Sequence, residues 1–183
     1  MTDDALNQAH PFDILCDIER RALAAVSGDE AVSDNAEWVG IGIRIGTENF
    51  VVDRDEVREV LMMPDTLARV PGARSWVRGL SNVRGQLLPV IDLRDFLGSG
   101  ATPTTRAARV LVIRGGEFPA GLLVDEVYGF RRFVDREYAS GNPTLELRCD
   151  VYLAGAFSRG EEVWPVFSMG RLLESREFSQ AAA

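Results

Sequence analysis

The chain has 183 residues, 46% of them hydrophobic and 26% charged, and it carries a formal net charge of −8 at pH 7. A chain of this length and composition can bury a hydrophobic core as one compact domain or as two small lobes that share an interface. Its acidity argues against binding to DNA or RNA, because recognition of phosphate depends on clustered lysines and arginines.

The N-terminal region predicts a helix followed by a linker. Pro11 is tolerated in a first helical turn, and an apolar stripe indicates a helix over Phe12–Val26 that packs on its own domain or faces a partner. The segment Gly28–Ala36 is typical of a flexible tether. We see neither a secretion signal nor an apolar run long enough to span a membrane, so we expect a cytoplasmic protein with no direct membrane insertion.

Short strands separated by turns follow the linker. Alternating and β-branched residues predict strands over Trp38–Ile45 and Phe50–Val52, and a strand or turn over Asp55–Leu61. After a glycine-containing linker, similar patterns predict three more strands, at Ala108–Ile113, Gly121–Val127 and Phe130–Val134. We therefore expect an all-β fold of small barrels with few helices.

The central segment predicts a tight β-hairpin and then one helical turn. The apolar runs Val77–Val83 and Leu87–Ile91 are separated by Arg84-Gly85-Gln86, in which glycine supplies the positive φ that a tight reversal needs. Pro89 lacks an N–H, so we expect the returning strand at a sheet edge or a bulge. Asp92 is a candidate N-cap for the short helix that follows.

The order of residues in this hairpin recurs near the C terminus. Residues match in pairs at a constant offset: Gly79 with Gly155, Pro89 with Pro165, and Val90 with Val166. Each copy has an Arg-Gly pair before its second strand, and a shorter echo relates Asp55-Glu56-Val57 to Asp125-Glu126-Val127. Two blocks repeated in the same order indicate two similar half-domains.

Groups that could perform chemistry are few. The only histidine is His10, in a polar N-terminal segment, which removes most catalytic triads and most zinc sites. Cys16 and Cys149 have no activating base in view. The acidic groups Asp53–Glu56 and Asp125-Glu126 are more simply solvated strand ends than a cation site. We predict no catalytic residue, no metal and no cofactor.

The motif G-L-S-N-V-R-G-x-x-L-P-V-I-D-L-R, which begins at Gly79, resembles that of the CheW family, the coupling proteins of bacterial chemosensory arrays. The segments Phe50–Val60 and Gly121–Val127 resemble the same family, so the resemblance extends over Trp38–Phe178. In its second copy the chain has Ser168 where the family more often has an aspartate cap. The N-terminal segment is more like the branch that serves type IV pilus twitching motility than a flagellar chemotaxis adaptor.

This resemblance implies the CheW-like fold, with two SH3-like five-stranded β-barrel subdomains at residues 37–100 and 107–178, an N-terminal helix and linker at 1–36, and a tail at 179–183. It implies a non-catalytic adaptor that links methyl-accepting chemotaxis receptors to a CheA-type histidine kinase in membrane-associated arrays. Carried over residue by residue, it implies receptor binding at Asn82, Val83, Arg84 and Gly85. It implies kinase binding around Val51, Val52 and Val57.

Other interpretations stay open from the sequence. An enzyme could work through two carboxylates at the ends of separate strands, as glycosidases do. A regulatory domain of a larger kinase would share the fold, although this chain has no ATP-binding segment. From residue type alone, Arg84 is more simply an arginine that holds the turn through backbone carbonyls.

Overall fold

The computed structural model describes residues 37–114, 119–139, 141 and 143–180. The predicted N-terminal helix and linker, and the end of the predicted tail, lie outside these residues. Within the described residues, no helix has the length and apolar character needed to cross a membrane.

The described chain is built mainly from strands, which confirms the predicted all-β class. The strands are β1 (Glu37–Ile45), β2 (Glu48–Asp53), β3 (Val57–Met62), β4 (Val77–Val83), β5 (Gln86–Asp92), β6 (Arg109–Ile113), β7 (Ala120–Val124), β8 (Glu126–Val134), β9 (Tyr138–Ala139), β10 (Leu153–Arg159) and β11 (Glu162–Phe167). The helices are α1 (Leu93–Phe96), α2 (Met169–Glu174) and α3 (Arg176–Ser179). Single 3-10 turns lie at Arg54–Glu56, Asp135–Glu137 and Asp150–Tyr152.

The strands pair into two sheets whose composition does not follow chain order. Sheet A has the order β8-β1-β2-β11-β10-β9, and sheet B has the order β3-β6-β7-β5-β4. Sheet B has the five strands expected, and sheet A has a sixth because the two-residue β9 pairs with β10. The lobe bounds 37–100 and 107–178 stay a prediction, but the pairing crosses them, since each sheet takes strands from both ranges.

The two copies of the repeat form equivalent hairpins, β4–β5 and β10–β11. Gly79 and Gly155 both have a φ of 143°, and in both hairpins the register shifts beside the glycine. A Cβ at Gly79 would lie 2.6 Å from the carbonyl oxygen of Ala68, and one at Gly155 would lie 2.7 Å from that of Ala139. The repeated glycine is therefore required because another backbone segment passes close to it.

The expectation that Pro89 marks an edge or a bulge was wrong about the edge. β5 lies inside sheet B, between β7 and β4. Its pairing with the parallel strand β7 begins at Val90, so the missing N–H of Pro89 falls before that ladder. The second copy repeats the arrangement, because Pro165 precedes Val166, which pairs with Val51 of the parallel strand β2.

The predicted helix cap at Asp92 is present, and Ser168 caps the helix after the second hairpin. The Asp92 carboxylate accepts a hydrogen bond from the N–H of Asp95 at 3.2 Å, and the Ser168 hydroxyl accepts one from the N–H of Arg171 at 3.3 Å. Asp92 is fully buried and also accepts bonds from the backbone and hydroxyl of Thr102. Serine therefore caps the second copy where aspartate caps the first.

The shorter sequence echo does not correspond to a structural repeat. Asp55 and Glu56 lie in the 3-10 turn between β2 and β3, whereas Asp125 joins β7 directly to β8. The structural counterpart of the first turn is Asp135–Glu137, the 3-10 turn between β8 and β9. The two segments match only because short runs of acidic residues are common at the ends of strands.

The core explains how the sheets are held together. The main hydrophobic cluster takes Ile43 and Phe50 from sheet A and Leu111 and Leu122 from sheet B, so the two sheets pack on each other. Each sheet also has a cluster of its own. In sheet A the stacked rings of Phe133 on β8 and Phe157 on β10 have centroids 4.4 Å apart, which shows that the sheet curls until its opposite sides meet.

Candidate functional site

The turn between β4 and β5 has a backbone shape that its sequence supports. Arg84 and Gly85 have φ values of 52° and 82°, and Arg84 is the non-glycine residue with positive φ in the described chain. Two consecutive positive φ values are typical of the type I′ turns that match the twist of a hairpin. The side-chain oxygen of Asn82 accepts a hydrogen bond from the N–H of Gly85 at 2.9 Å. Asn82 therefore holds the turn.

The side chain of Arg84 points to a carboxylate on another strand. Its Nη2 lies 2.9 Å from an oxygen of Glu59 on β3, although 78% of the Arg84 side chain is exposed. Glu59 is largely covered, and its carboxylate also accepts a hydrogen bond from the guanidinium of Arg58 at 3.3 Å. An ion pair this exposed adds at most about 1 kcal/mol of stability. Its main consequence is to fix where the guanidinium sits.

Glu59 also lines an open groove between the two sheets, which we call the β3–β8 groove. The groove has a volume of about 400 Å³ and is lined from sheet A by Ile41 and Phe130 and from sheet B by residues of β3 that include Val57 and Val60. Phe130 is 65% exposed and Val60 is 40% exposed. Apolar side chains from two different sheets thus meet in one surface depression, next to the hairpin turn.

Comparison with known proteins places this chain in a family. Residues 40–177 match the family model described as the CheW-like domain. The chain belongs to the CheW family. The predicted resemblance, made from the hairpin motif and its neighbours, is therefore confirmed.

Three individual relatives show how far the similarity of this chain extends. The chain is 39% identical over 173 residues to protein PilI of Pseudomonas aeruginosa, covering 94% of this chain and 96% of PilI. It is 35% identical over 89 residues to protein FrzA of Myxococcus xanthus, covering 49% of this chain and 55% of FrzA. It is 24% identical over 135 residues to chemotaxis protein CheW of Klebsiella aerogenes, covering 74% of this chain and 81% of that protein.

A solved structure agrees with the fold. The crystal structure of the scaffolding protein TtCheW from Thermoanaerobacter tengcongensis has a TM-score of 0.66 with this chain at 20% sequence identity. The match covers 78% of this chain and 96% of TtCheW. At this identity the match supports the CheW-like fold and nothing finer.

The four residues predicted for receptor binding in this CheW-like chain differ in what their side chains offer. Asn82, Arg84 and Gly85 form the exposed turn, whereas the side chain of Val83 is half-buried and packs against the cluster inside sheet B. Leu87, just beyond the turn, is 67% exposed and is better placed than Val83 to touch a partner.

The three residues predicted to bind the kinase have covered side chains. Val51 and Val52 are fully buried and Val57 is 6% exposed, so a kinase docked on this surface would not touch their side chains. β2 lies between β1 and β11, and its successive side chains enter different clusters, Val51 inside sheet A and Val52 between the sheets. The unbroken apolar run Phe50–Val52 was a signal for a strand covered on both faces.

Two of the acidic residues interpreted as solvated strand ends, Asp125 and Glu56, need a correction. Asp125 is buried; its carboxylate accepts a bond from the N–H of Gly46 at 2.7 Å and lies 3.5 Å from Arg94. The Glu56 carboxylate accepts bonds from the N–H groups of Met169 and Gly170 at 3.0 and 2.9 Å. Burial raises the pKa of Glu56, and these hydrogen bonds oppose that rise. Both carboxylates therefore connect separate segments of the fold through hydrogen bonds.

The described cysteine is not an activated nucleophile. Cys149 is fully buried, and burial raises the pKa of its thiol to about 12. A thiol with this pKa stays protonated near neutral pH, and the thiolate is the reactive form. Within the ranges described, no three His, Cys, Asp or Glu side chains gather in a way that could hold a metal ion.

Proposed function

We propose that this CheW-family chain is a non-catalytic coupling protein that links methyl-accepting chemotaxis receptors to a CheA-type histidine kinase and so controls type IV pilus twitching motility. The observation that carries the proposal is the Arg84–Glu59 contact, which joins the family's signature turn to the wall of the β3–β8 groove. Similarity to PilI over nearly the whole chain supports the pilus assignment over a flagellar one.

The receptor contact would use the groove and the turn together. A receptor segment entering the groove would cover Phe130 and Val60, and burying one such side chain contributes roughly 1.5–3 kcal/mol. Arg114 lines the same groove, and no ion pair joins it to the described residues, so it is available to a receptor carboxylate. A contact limited to one groove and one turn is modest in area, which suits an array that assembles through many weak contacts.

The kinase contact would use the surface that the three buried valines support. Arg54 and Asp55, in the turn between β2 and β3, have side chains that are 54% and 76% exposed, and both also line the β3–β8 groove, so the kinase and receptor contacts would adjoin there. We therefore infer that the kinase docks on this turn, and that Val51, Val52 and Val57 act by holding the turn and its flanking strands in place.

An enzyme working through carboxylates has less support. Two carboxylates at strand ends, the buried Asp125 and the partly buried Glu56, accept bonds from backbone N–H groups of the chain itself. Their oxygens therefore already bind other segments of the fold. The two groups bind different segments, so they do not act as a pair.

The proposal is tested by co-elution of the purified chain with a receptor cytoplasmic tip and with the regulatory domain of the kinase. We expect Arg84→Glu to reduce receptor co-elution at least about tenfold, because it places two carboxylates together, and to leave kinase co-elution unchanged. Arg148→Glu, at an exposed arginine outside the groove, is the matched control. Unchanged receptor binding by Arg84→Glu at an unchanged melting temperature would remove Arg84 from the site, and unfolding of the variant would show a structural role.

A further inference from the structure

A second open groove lies at the C-terminal end of β3. It has a volume of about 730 Å³ and is formed by the end of β3, the loop after it and the loop before β6. Its apolar lining includes Met62, Met63, Leu67 and Ala108, and we call it the methionine groove. It shares no lining residue with the β3–β8 groove.

The apolar part of the methionine groove is partly fixed and partly free to adapt. Met63 and Leu67 are half-buried and pack against the cluster inside sheet B. Met62 is 77% exposed, so its thioether side chain projects from a surface that the packed residues support. Methionine is unbranched and flexible, and it is common on surfaces that adjust to a bound partner.

The charge around the methionine groove is opposite to that of the whole chain. The chain has a net charge of −8, yet the charged residues that line the groove are two arginines and one aspartate, Asp65. Arg106 and Arg109 line the groove. Arg109 donates to the carbonyl oxygens of Arg106 and Ala108 at 2.6 and 2.8 Å, and neither arginine is in an ion pair with a carboxylate of the described chain. The groove therefore complements an acidic partner.

The surroundings of β3 indicate which backbone form such a partner has. β3 pairs only with β6, so a strand could in principle be added to its free edge. The Arg84–Glu59 contact, however, brings the hairpin turn alongside the middle of β3, and the strand ends at Met62 with Pro64 close behind. A partner strand therefore could not continue its pairing along β3 into the groove, where a partner would meet apolar and arginine side chains. An amphipathic helix lying in an apolar groove binds in this way.

We propose that the methionine groove binds an acidic amphipathic helix of a partner protein. The apolar stripe of the helix would cover Met62, Met63 and Leu67, and its carboxylates would pair with Arg106 and Arg109. This site is additional to the receptor and kinase contacts proposed above, and the argument for it does not depend on them.

The test is an NMR titration of the full chain, labelled on amide nitrogen and methionine methyl groups, with a synthetic helix of about 18 residues, or five turns. The probe has leucine on one face and glutamate elsewhere, and a matched probe has lysine in place of every glutamate. We expect saturable shifts at the Met62 and Met63 methyl groups and at the amides of residues 104–106 with the acidic probe only. The affinity should fall as salt is added.

Variants of the groove sharpen the test. Met62→Glu and Arg106→Glu should each weaken binding of the acidic probe at least about tenfold, because one removes an apolar anchor and the other an ion-pair partner. Arg148→Glu removes an exposed arginine elsewhere and should change the affinity by less than about twofold. Because Met62 is exposed, spectra away from the groove should be unchanged in Met62→Glu.

Several outcomes would overturn the proposal. These are the absence of shifts at millimolar probe, shifts confined to another surface, and equal binding of the lysine probe. If the Met62 signal instead broadens with protein concentration in the absence of any probe, the occupant is a second copy of the chain and the acidic-helix proposal fails.

Discussion

Arg84 shows how one residue can serve both fold and recognition. Its positive φ is uncommon for a residue with a Cβ and is held by the Asn82 hydrogen bond to Gly85. The equivalent position in the second hairpin, at the offset set by Gly79 and Gly155, is Gly160, with a φ of 63°. The second copy therefore uses glycine, which adopts positive φ without strain, while the first places an exposed guanidinium there. That difference fits a recognition role for the first turn.

At the residue scale we expect Gly79→Ala to lower the free energy of unfolding by about 2–4 kcal/mol, because its Cβ would collide with the Ala68 carbonyl. Gly155→Ala should behave alike, against Ala139. Gly141→Ala is the control, since a Cβ there meets nothing within 4 Å. Urea unfolding of the three variants measures the free energy of unfolding. A decrease in Gly79→Ala that is no larger than in Gly141→Ala would contradict the prediction.

The thiol of Cys149 gives a second prediction at this scale. In a Cys16→Ser background, we expect Cys149 to resist a thiol reagent at pH 8 until the protein unfolds, because burial both shields it and raises its pKa to about 12. The rate of modification should follow the unfolding rate across a urea series. Rapid modification of the folded protein would show that the loop around Cys149 opens on its own.

At the scale of elements, charged side chains connect segments that the sheets leave separate. Arg159 on β10 contacts Glu137 at 2.7 Å and donates to the carbonyl of Arg132 on β8. The contact joins β10 to the far edge of sheet A and accompanies the stacking of Phe133 on Phe157. The hydrogen bond from Arg159 lowers the pKa of Glu137 from 4.5 to about 2.

This lowered pKa predicts how stability depends on pH. A carboxyl whose pKa is lower in the folded state stabilises the fold above its unfolded pKa, and this contribution is lost as the pH falls through the folded value. We therefore expect Glu137→Gln to be less stable than the parent chain at neutral pH, with the difference disappearing between pH 4.5 and about 2. Glu161→Gln, at an exposed glutamate of the β10–β11 turn, is the control. A difference that does not vary with pH would show that Glu137 acts by packing.

At the scale of the whole molecule, the two sheets depend on each other through exchanged strands. β1 and β2, from the first half of the chain, pair with β8 and β11 of the second half. β6 and β7, from the second half, pair with β3 and β5 of the first half. The parallel pairs β2–β11 and β5–β7 connect the halves, and the main cluster lies between the sheets.

This exchange predicts that neither sequence half folds alone. Fragments of residues 37–100 and 107–180 should each lack dispersed amide signals, because each lacks the partners of its own strands. Mixing them should restore the dispersion of the intact chain, which should itself unfold in one transition. A folded spectrum from either fragment by itself would instead support independent lobes with the predicted bounds.

Local features were accessible from the sequence because they depend on neighbouring residues. Positive φ at Gly85, the side-chain cap at Asp92 and alternation along the strands are settled within a few residues of the chain. The duplicated hairpin was found for the same reason, because each copy has its own glycine, Gly79 or Gly155, at the matching position of its sequence.

The candidate site depended on contacts across the chain. Nothing near Glu59 or Arg84 specifies that they meet, and the burial of Val57 follows from which sheet faces it. Alternation gives the faces of a strand but not its neighbours, because pairing partners are chosen by how all the apolar faces are covered at once. The sequence by itself therefore determined the strands, the turns and the Asp92 cap. Only the tertiary structure decided the strand exchange between halves, the burial of the valines and the two grooves beside β3, because each of these depends on residues far apart in the chain.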